Sequence, residues 1–179
     1  LAFDEAGYRQ SIDGNIRHGA VGLFAPGGTG EFFSLTPEEC RQVTRAAVEA
    51  AGGRVPIVGG TGYGTALAVK IAKAAEAAGA AAVLVLPPYL VNVEQSGLQA
   101  HVEAICRAIG IGVILYNRDN SIYAAETVAR LAERGLSYTC LDLSASEPDG
   151  AALAPARLPG GLTGFTIDWP TVELVWSQR

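Results

Sequence analysis

The residue types best suited to chemistry in this chain lie in short loops that follow apolar runs. One loop, Gly27-Gly28-Thr29-Gly30-Glu31, has backbone N–H groups that can form an anion-binding nest, and the Thr29 hydroxyl can also donate. A second loop, Asn117-Arg118-Asp119-Asn120, follows Tyr116 directly. Its arginine can pair with a carboxylate through two parallel hydrogen bonds. A tight turn or a solvated surface arginine explains the same residues without any ligand.

Residue spacing argues against a metal site and against a bound dinucleotide. Cys40, Cys106 and Cys140 lie far apart, and no pair of His, Cys or carboxylate residues has the spacing of metal ligands. The segment Gly60-Thr61-Gly62-Tyr63-Gly64 lacks the third glycine of a dinucleotide fingerprint, and no acidic residue ends the next predicted strand. We therefore expect no metal, no NAD and no other cofactor.

Composition and charge limit the class of protein and its partners. Apolar residues make up 49% of the 179 residues, which argues against disorder. The net charge of -5 argues against a nucleic-acid partner, because such binding needs clustered Lys and Arg. No apolar run approaches the ~20 residues that span a bilayer, and the amino terminus has no secretory signal pattern. With widely spaced cysteines, this favours a cytoplasmic protein without a membrane partner.

Short apolar runs alternate with amphipathic stretches along most of the chain, as is typical of parallel strands buried on both faces. The predicted strands are Val21–Phe24, Val55–Val58, Ala82–Leu86 and Gly112–Tyr116. Five helices are predicted. The first runs from Phe3 to Arg17, and the second begins with a capping box at Thr36-Pro37-Glu38-Glu39 and ends at Gly52-Gly53. The third has Leu67, Ile71, Ala74, Ala75 and Ala78 on its core face, the fourth has Leu98, Val102, Ile105 and Ile109, and the fifth runs from about Ala124 to Glu133.

Repeated strand–helix units of about thirty residues indicate parallel pairing with right-handed crossovers. An open doubly wound sheet and a closed barrel both have this rhythm. In a barrel, the functional loops follow the carboxyl ends of the strands, and the unusual loops of this chain lie there. His18 precedes a strand, at the opposite end, and His101 falls on a helix, so neither has a predicted catalytic role. Because a complete barrel needs about 200 residues or more, we expect an α/β fold, an incomplete (β/α)8 TIM barrel with parallel strands and outer helices.

Three loop segments carry a resemblance to a known family. They are Phe24 to Thr36 with its double phenylalanine, Leu86-Pro87-Pro88-Tyr89-Leu90, and Tyr116-Asn117-Arg118-Asp119-Asn120. The first resembles the second-strand loop of the dihydrodipicolinate synthase and N-acetylneuraminate lyase superfamily. Together the three are similar to its 5-dehydro-4-deoxyglucarate dehydratase branch, and the similarity runs from about Phe3 to Glu133.

The resemblance implies a decarboxylating dehydration of a keto-deoxy sugar diacid to 2,5-dioxopentanoate, water and CO2. In that family a lysine on the sixth strand of the complete barrel forms an imine with the substrate keto group, and a tyrosine on the fifth strand relays protons. The four predicted strands correspond to barrel strands two to five, so Tyr116, at the end of the last of them, matches this tyrosine. Gly28 and Thr29 match the pair that binds the keto-acid carboxylate.

The remaining site residues are placed by position in the loops. Arg118 is predicted to bind the far carboxylate of the diacid, and Asn117 lies beside it. Tyr89 is predicted either to line the pocket or to contact another subunit. A barrel without its first, seventh and eighth strands leaves apolar faces uncovered, so we expect a homo-oligomer or poor solubility.

The family's lysine has no counterpart in this sequence. The only lysines, Lys70 and Lys73, fall on the helix after the second predicted strand, away from its core face. The segment after Glu133, Gly135 to Leu143, has strand character but no lysine. Residues 1–143 are therefore predicted to form the partial barrel domain, and 144–179 a divergent tail that is disordered or aberrant. Within the tail, the segment from Ser144 to Gly161 is rich in Ala, Pro, Gly and Ser, which indicates a linker or disorder. A reading-frame change after about Arg134 is one hypothesis for that tail.

Two other functions stay open at the level of the sequence. The first is a pyruvate-dependent aldolase of the same superfamily, against which Arg118 and the Gly28-Thr29 pair argue mildly. The second is a remnant that binds a keto acid without turnover, or that only assembles with other subunits. The missing lysine favours this second alternative.

Overall fold

A computed structural model describes residues 3–28, 30–87, 92–116, 122–133, 138–141, 156–157 and 163–164. The helices are α1 (Glu5–Arg17), α2 (Pro37–Ala51), α3 (Thr65–Ala77), α4 (Gln95–Cys106) and α5 (Ala125–Glu133), with a short 3₁₀ helix over Phe32–Ser34. The strands are β1 (Leu23–Phe24), β2 (Ile57–Thr61), β3 (Ala82–Val85), β4 (Gly112–Tyr116), β5 (Tyr138–Leu141), β6 (Ala156–Arg157) and β7 (Thr163–Gly164). No helix among these residues is long and apolar enough to cross a membrane.

Strands β1 to β5 form one parallel sheet in chain order. A doubly wound sheet reverses its strand order at a switch point, whereas in a barrel each crossover moves to the next strand in the same direction. The order β1-β2-β3-β4-β5 therefore belongs to an arc of a barrel, and the predicted incomplete (β/α)8 barrel is confirmed.

The two faces of the sheet bury different sets of side chains, because successive residues of a strand point to opposite faces. On the outer face, strand residues such as Val83, Val113 and Leu115 form one cluster with Val102 and Leu131 of the surrounding helices. The inner cluster contains the alternate strand residues Val58, Leu84 and Ile114, with Phe24 and Tyr116 packed against it. Tyr116 thus belongs to the inner face and, as the last residue of β4, lies at the carboxyl end of the strands, where barrel enzymes have their active sites.

The start and end of α2 follow the sequence prediction. The Thr36 hydroxyl accepts a hydrogen bond from the Glu39 N–H at 3.2 Å, and the Glu39 carboxylate accepts one from the Thr36 N–H at 2.8 Å. Pro37 occupies the first helical position, and Gly52 ends the helix with φ 55°. This reciprocal pairing satisfies backbone donors that a helix start leaves free, so the predicted capping box is confirmed.

Several predicted boundaries were wrong. The helix α1 begins at Glu5 rather than Phe3, with the Asp4 carboxylate accepting a bond from the Gly7 N–H at 3.0 Å. Strand β1 covers Leu23–Phe24 only, since Val21 is 52% exposed and pairs with no strand. On α3 the buried face is rotated from the prediction, because small residues allow closer packing on the sheet; the buried residues are Ala68, Ile71, Ala72 and Ala75.

The chain after Glu133 agrees with one prediction and modifies another. The predicted strand is present as β5, parallel to β4, with Tyr116 paired with Leu141. Within the segment from Ser144 to Gly161, which was expected to be linker or disorder, Ala156–Arg157 form a short strand antiparallel to Thr163–Gly164. The division at residue 143 stays a prediction.

Strand β2 differs most from its prediction, because Gly59, Gly60 and Thr61 belong to the strand rather than to a loop. A side chain at Gly60 would collide with the carbonyl oxygen of Pro26, which crosses this strand after β1. A side chain at Gly59 would lie 2.9 Å from the Cβ of Ala75 on α3. Glycine in a strand often marks a place where another part of the chain approaches closely. Here one such approach occurs on each face of β2.

We predict that Gly60→Ala destabilises the fold by about 1–3 kcal/mol, the usual result of forcing extra volume into a packed site. The matched control is Gly28→Ala, where an added methyl group meets no atom within 4 Å and the expected change is within about 0.5 kcal/mol. Urea denaturation of both variants measures the free energy of unfolding. Equal stability of the two variants would show that the Pro26 segment does not depend on Gly60.

Candidate functional site

The candidate site lies at the carboxyl ends of the parallel strands. The glycine-rich turn at Gly27-Gly28 begins three residues after β1, and Tyr116 is the last residue of β4. Because parallel strands end at one edge of the sheet, both features lie at that edge, three strands apart. At about 4.8 Å between neighbouring strands the separation is roughly 14 Å along the sheet, less where the sheet curves.

The turn is stabilised by hydrogen bonds between its own backbone groups. The Gly27 carbonyl accepts hydrogen bonds from the N–H groups of Gly30 at 3.1 Å and Phe32 at 3.2 Å, and the Gly28 carbonyl accepts one from the Glu31 N–H at 3.2 Å. The N–H groups of Gly27 and Gly28 have no acceptor among the described residues. Free N–H groups in a compact turn are what an anion-binding nest requires.

Phe32 anchors this turn to the rest of the sheet. Its ring is fully buried and lies against the two glycines of β2 and its loop, 3.1 Å from the Cβ position of Gly60 and 3.2 Å from that of Gly62. Ring centroids of Phe33 and Tyr63 lie 5.1 and 5.2 Å from its own. The Tyr63 hydroxyl donates to the Phe32 carbonyl at 3.3 Å. The double phenylalanine thus fixes the turn by packing.

Two residues beside the turn have left-handed backbone conformations. Glu31 has φ 57° and Tyr63 has φ 67°, and a residue with a side chain pays about 1–2 kcal/mol for such a conformation. Strained backbone of this kind concentrates at functional sites, where the surrounding packing holds it in place. Both strained residues belong to the edge that carries the free turn amides.

Two buried threonines hold strand ends to helices at the same edge. The Thr44 hydroxyl on α2 lies 2.8 Å from the Ala25 carbonyl, directly after β1, and 2.8 Å from the Cys40 carbonyl. The Thr61 hydroxyl donates to the Ala68 carbonyl on α3 at 2.6 Å. Both side chains are at most 2% exposed. These contacts fix where β1 and β2 end, and therefore where the loops begin.

Tyr116 is half-buried and packs against the inner cluster. In the register of the sheet it lies beside Leu141 of β5, the strand that follows α5. A phenol can transfer protons when it is positioned beside a reacting group, and this role of Tyr116 stays a prediction. The structure thus places Gly28 and Tyr116, predicted from sequence, at one end of the same sheet.

Four of the predicted site residues lie outside the residues that the structure describes. They are Thr29, Tyr89, Asn117 and Arg118. Their roles stay predictions.

No amine that could form an imine is found at this edge among the described residues. Lys70 and Lys73 are both exposed on α3, which packs on the outer face of the sheet. The strand β5 consists of Tyr138-Thr139-Cys140-Leu141 and has no lysine. Burial raises the pKa of the nearby Cys40 thiol to about 11, so this group is protonated at neutral pH and is no substitute nucleophile.

The histidines occupy structural positions. His18 ends α1, before β1, with its Nδ1 2.7 Å from the Gly14 carbonyl. The His101 Nδ1 on α4 lies 2.9 Å from the Thr65 hydroxyl on α3, and burial lowers the pKa of His101. Within the described part of the chain, no group of three His, Cys, Asp or Glu side chains is arranged to hold a metal ion.

Sequence reasoning missed several residues that shape the site. Thr44, Thr61 and Tyr63 act through contacts with residues distant in the chain, and nothing local marks them. Gln95, on α4, bonds to the segment before α5 and was also missed.

Comparison with known proteins agrees with this geometry. The model of the dihydrodipicolinate synthetase family matches residues 2–136. A probable 5-dehydro-4-deoxyglucarate dehydratase from Bradyrhizobium diazoefficiens is 60% identical over 133 residues, 74% of this chain and 42% of its own length. A protein of the same name from Rhizobium rhizogenes is 57% identical over 133 residues, 74% of this chain and 44% of its own length. The chain thus spans less than half the length of these curated relatives.

Solved structures show the same architecture. The dihydrodipicolinate synthase from Aquifex aeolicus superposes with a TM-score of 0.80 at 26% identity, covering 92% of this chain and 58% of that one. The chloride-inhibited enzyme from Acinetobacter baumannii, solved with pyruvate, superposes with a TM-score of 0.79 at 30% identity, covering 93% and 58%.

The resemblance seen in the three loop segments is therefore confirmed, both by the family match over three-quarters of the chain and by the shared barrel architecture. The chain is similar to 5-dehydro-4-deoxyglucarate dehydratases, and it belongs to the dihydrodipicolinate synthetase family.

Proposed function

We propose that this chain carries the carboxylate-binding side of a decarboxylating dehydratase for 5-dehydro-4-deoxy-D-glucarate, and that its 179 residues bind this diacid without completing the reaction. One observation carries the proposal. The glycine turn after β1 and Tyr116 lie at one edge of the sheet, while the strand next to Tyr116 has no lysine.

The reaction in question gives 2,5-dioxopentanoate, water and CO2, and it depends on an imine. A lysine amine condenses with the keto carbon, and the water released in this step is taken up again when the imine is hydrolysed at the end. The protonated imine accepts the electron pair of a neighbouring C–H bond as that bond breaks, and the resulting enamine expels a hydroxyl group, which leaves as the product water. A C–carboxylate bond then breaks and releases CO2. Tyr116 would pass protons to and from the reacting atoms, and the Gly27 and Gly28 N–H groups would hold the carboxylate beside the keto group.

The choice of a keto diacid rests on three supports. Relatives at 53–60% identity carry the dehydratase name, and a structural relative was solved with pyruvate, a keto acid. The N–H groups of Gly27 and Gly28, which have no acceptor among the described residues, can donate hydrogen bonds to the first carboxylate. Arg118, two residues after β4, is proposed to pair with the second. A pyruvate-dependent aldolase is the alternative within the family, and it needs no group for a second carboxylate.

The proposal predicts that the chain forms no imine. Incubation with pyruvate or 5-dehydro-4-deoxyglucarate, followed by borohydride reduction and intact-mass measurement, should give the unmodified mass. The exposed Lys70 and Lys73 lie on α3, outside the inner face and away from the strand ends where the substrate is proposed to bind. A full-length relative that has the lysine is the positive control. A covalent adduct on this chain would overturn the claim that it cannot complete the chemistry.

We further predict that 2-oxoadipate, a six-carbon keto diacid, binds more tightly than 2-oxohexanoate, which has the same length but one carboxylate. Arg118 supplies the difference, so Arg118→Gln should reduce the preference, by roughly tenfold for a lost charge-assisted pair. Isothermal titration calorimetry measures both affinities. Equal affinities in the unmodified chain would favour the aldolase alternative, and no binding of either acid would leave an assembly role.

An assembly role is the second candidate function, and exposed apolar residues favour it. Val21 and Ile122 are 52% and 51% exposed. Within the described part of the chain, β1 pairs with β2 on one side only. Open strand edges and apolar surface favour association. We propose a homo-oligomer, located in the cytoplasm, where the free thiols of Cys40 and Cys106 stay reduced.

The oligomer is tested by size-exclusion chromatography with light scattering. The expected result is a species of at least twice the monomer mass. A monodisperse monomer with a cooperative thermal transition would contradict it.

A further inference from the structure

Tyr63 lies in the loop between β2 and α3, and its side chain contacts the loop that follows β1. The hydroxyl donates to the Phe32 carbonyl at 3.3 Å, and the ring centroid lies 5.2 Å from that of Phe32 and 5.4 Å from that of Phe33. The backbone of Tyr63 has φ 67°, a conformation that costs free energy for a residue with a side chain. Contacts with the two phenylalanines hold the residue in this conformation.

The backbone of Phe32 links Tyr63 to the glycine turn. Its carbonyl accepts the hydrogen bond from the Tyr63 hydroxyl, and its N–H donates to the Gly27 carbonyl at 3.2 Å. The Gly27 carbonyl also accepts a hydrogen bond from the Gly30 N–H at 3.1 Å. Two donors therefore fix the direction of the Gly27 carbonyl, and one of them belongs to the residue that Tyr63 holds.

The direction of the Gly27 carbonyl determines the direction of the Gly28 N–H. Both groups belong to one planar trans peptide unit, so the N–H points away from the carbonyl. In the preceding unit the Pro26 carbonyl oxygen lies over Gly60 of β2, so the Gly27 N–H is directed away from that glycine. Neither N–H has an acceptor among the described residues. The contacts around the turn therefore set where these two donors point.

We propose that Tyr63 is a positioning residue for recognition of the first carboxylate, acting through Phe32 on the peptide units that present the N–H groups of Gly27 and Gly28. The inference rests on the proposed binding of a keto acid at the glycine turn. Hydrogen bonds to an ionised acceptor are roughly twice as strong as those to a neutral one, and they weaken when the donor points away from the acceptor. Loss of the Tyr63 contacts therefore weakens a carboxylate ligand more than its neutral amide.

The test compares pyruvate with pyruvamide, which has the same carbon skeleton and keto group but a neutral amide in place of the carboxylate. Amide chemical-shift titrations give both dissociation constants for the unmodified chain, Tyr63→Phe, Tyr63→Gly and the control Tyr8→Phe. Tyr63→Phe loses only the hydroxyl, so pyruvate should bind roughly fourfold more weakly, as is usual for one lost hydrogen bond. Tyr63→Gly also loses the ring contacts, and the expected loss is roughly tenfold, although glycine accepts the positive φ without strain. The losses for pyruvamide should be about twofold and about threefold, because neutral hydrogen bonds are roughly half as strong.

Tyr8 is also half-buried, but it lies on α1 and packs with Phe3 and the apolar cluster that includes Ile12, so Tyr8→Phe should leave both affinities as they are. A merely structural role of Tyr63 would lower the folded fraction and weaken both ligands alike, or make Tyr8→Phe act like Tyr63→Phe, and either result overturns the proposal. If Tyr63→Gly does not fold, Tyr63→Phe carries the same comparison.

The unmodified chain separates the two levels of the argument. If it shows no preference for pyruvate over pyruvamide, the proposed carboxylate site fails first and the role of Tyr63 falls with it. If it prefers pyruvate and both Tyr63 variants keep the full preference, the role of Tyr63 alone is refuted.

Discussion

The parallel ladder from β1 to β5 forces every strand to end at the same edge of the sheet, and the other features of the molecule depend on that geometry. Each helix returns the chain to the amino edge, so the loops that leave β1, β2 and β4 are neighbours in space although they are distant in sequence. The glycine turn, the strained residue Tyr63 and the rim residue Tyr116 therefore belong to one surface. In a sheet of mixed direction these loops would divide between two edges.

Close packing around β2 fixes the position of the loops at that shared edge. Gly60 leaves room for the Pro26 carbonyl, and Phe32 fills the space over Gly60 and Gly62. The buried Thr44 hydroxyl donates to the Ala25 carbonyl after β1, and the buried Thr61 hydroxyl at the end of β2 donates to the Ala68 carbonyl on α3, so neither buried hydroxyl is left without a partner. The glycine turn is thus held by contacts from three elements, and the N–H groups of Gly27 and Gly28 have no acceptor among the described residues.

Features that are determined by residues close together in the chain could be predicted from the sequence, whereas features that depend on distant residues could not. The α2 capping box and Tyr116 at the end of β4 were predictable, because the first is set within four residues and the second by a continuous apolar run. The extent of β2 was not, since Gly59-Gly60-Thr61 resembles a loop until the Pro26 carbonyl and Ala75 are known to need the space.

Gln95 was missed for the same reason. Its partners Ile122 and Ala124 lie 27 and 29 residues away, and a glutamine at the start of an amphipathic helix gives no local signal. The absence of a lysine on β5, in contrast, was evident from the sequence alone, because a residue type is either present or not. The structure adds that β5 nevertheless occupies the place beside β4, with Tyr116 paired with Leu141.

The most direct test of the central claim, that the carboxyl edge of the sheet binds a keto diacid, is an amide chemical-shift titration with 2-oxoadipate. The account predicts that the resonances of Gly27, Gly28 and Tyr116 shift with one saturation curve, while Gly53 and Gly79, in the connections before β2 and β3, do not. Shifts confined to Gly53 and Gly79, or no shifts at saturating ligand, would contradict it.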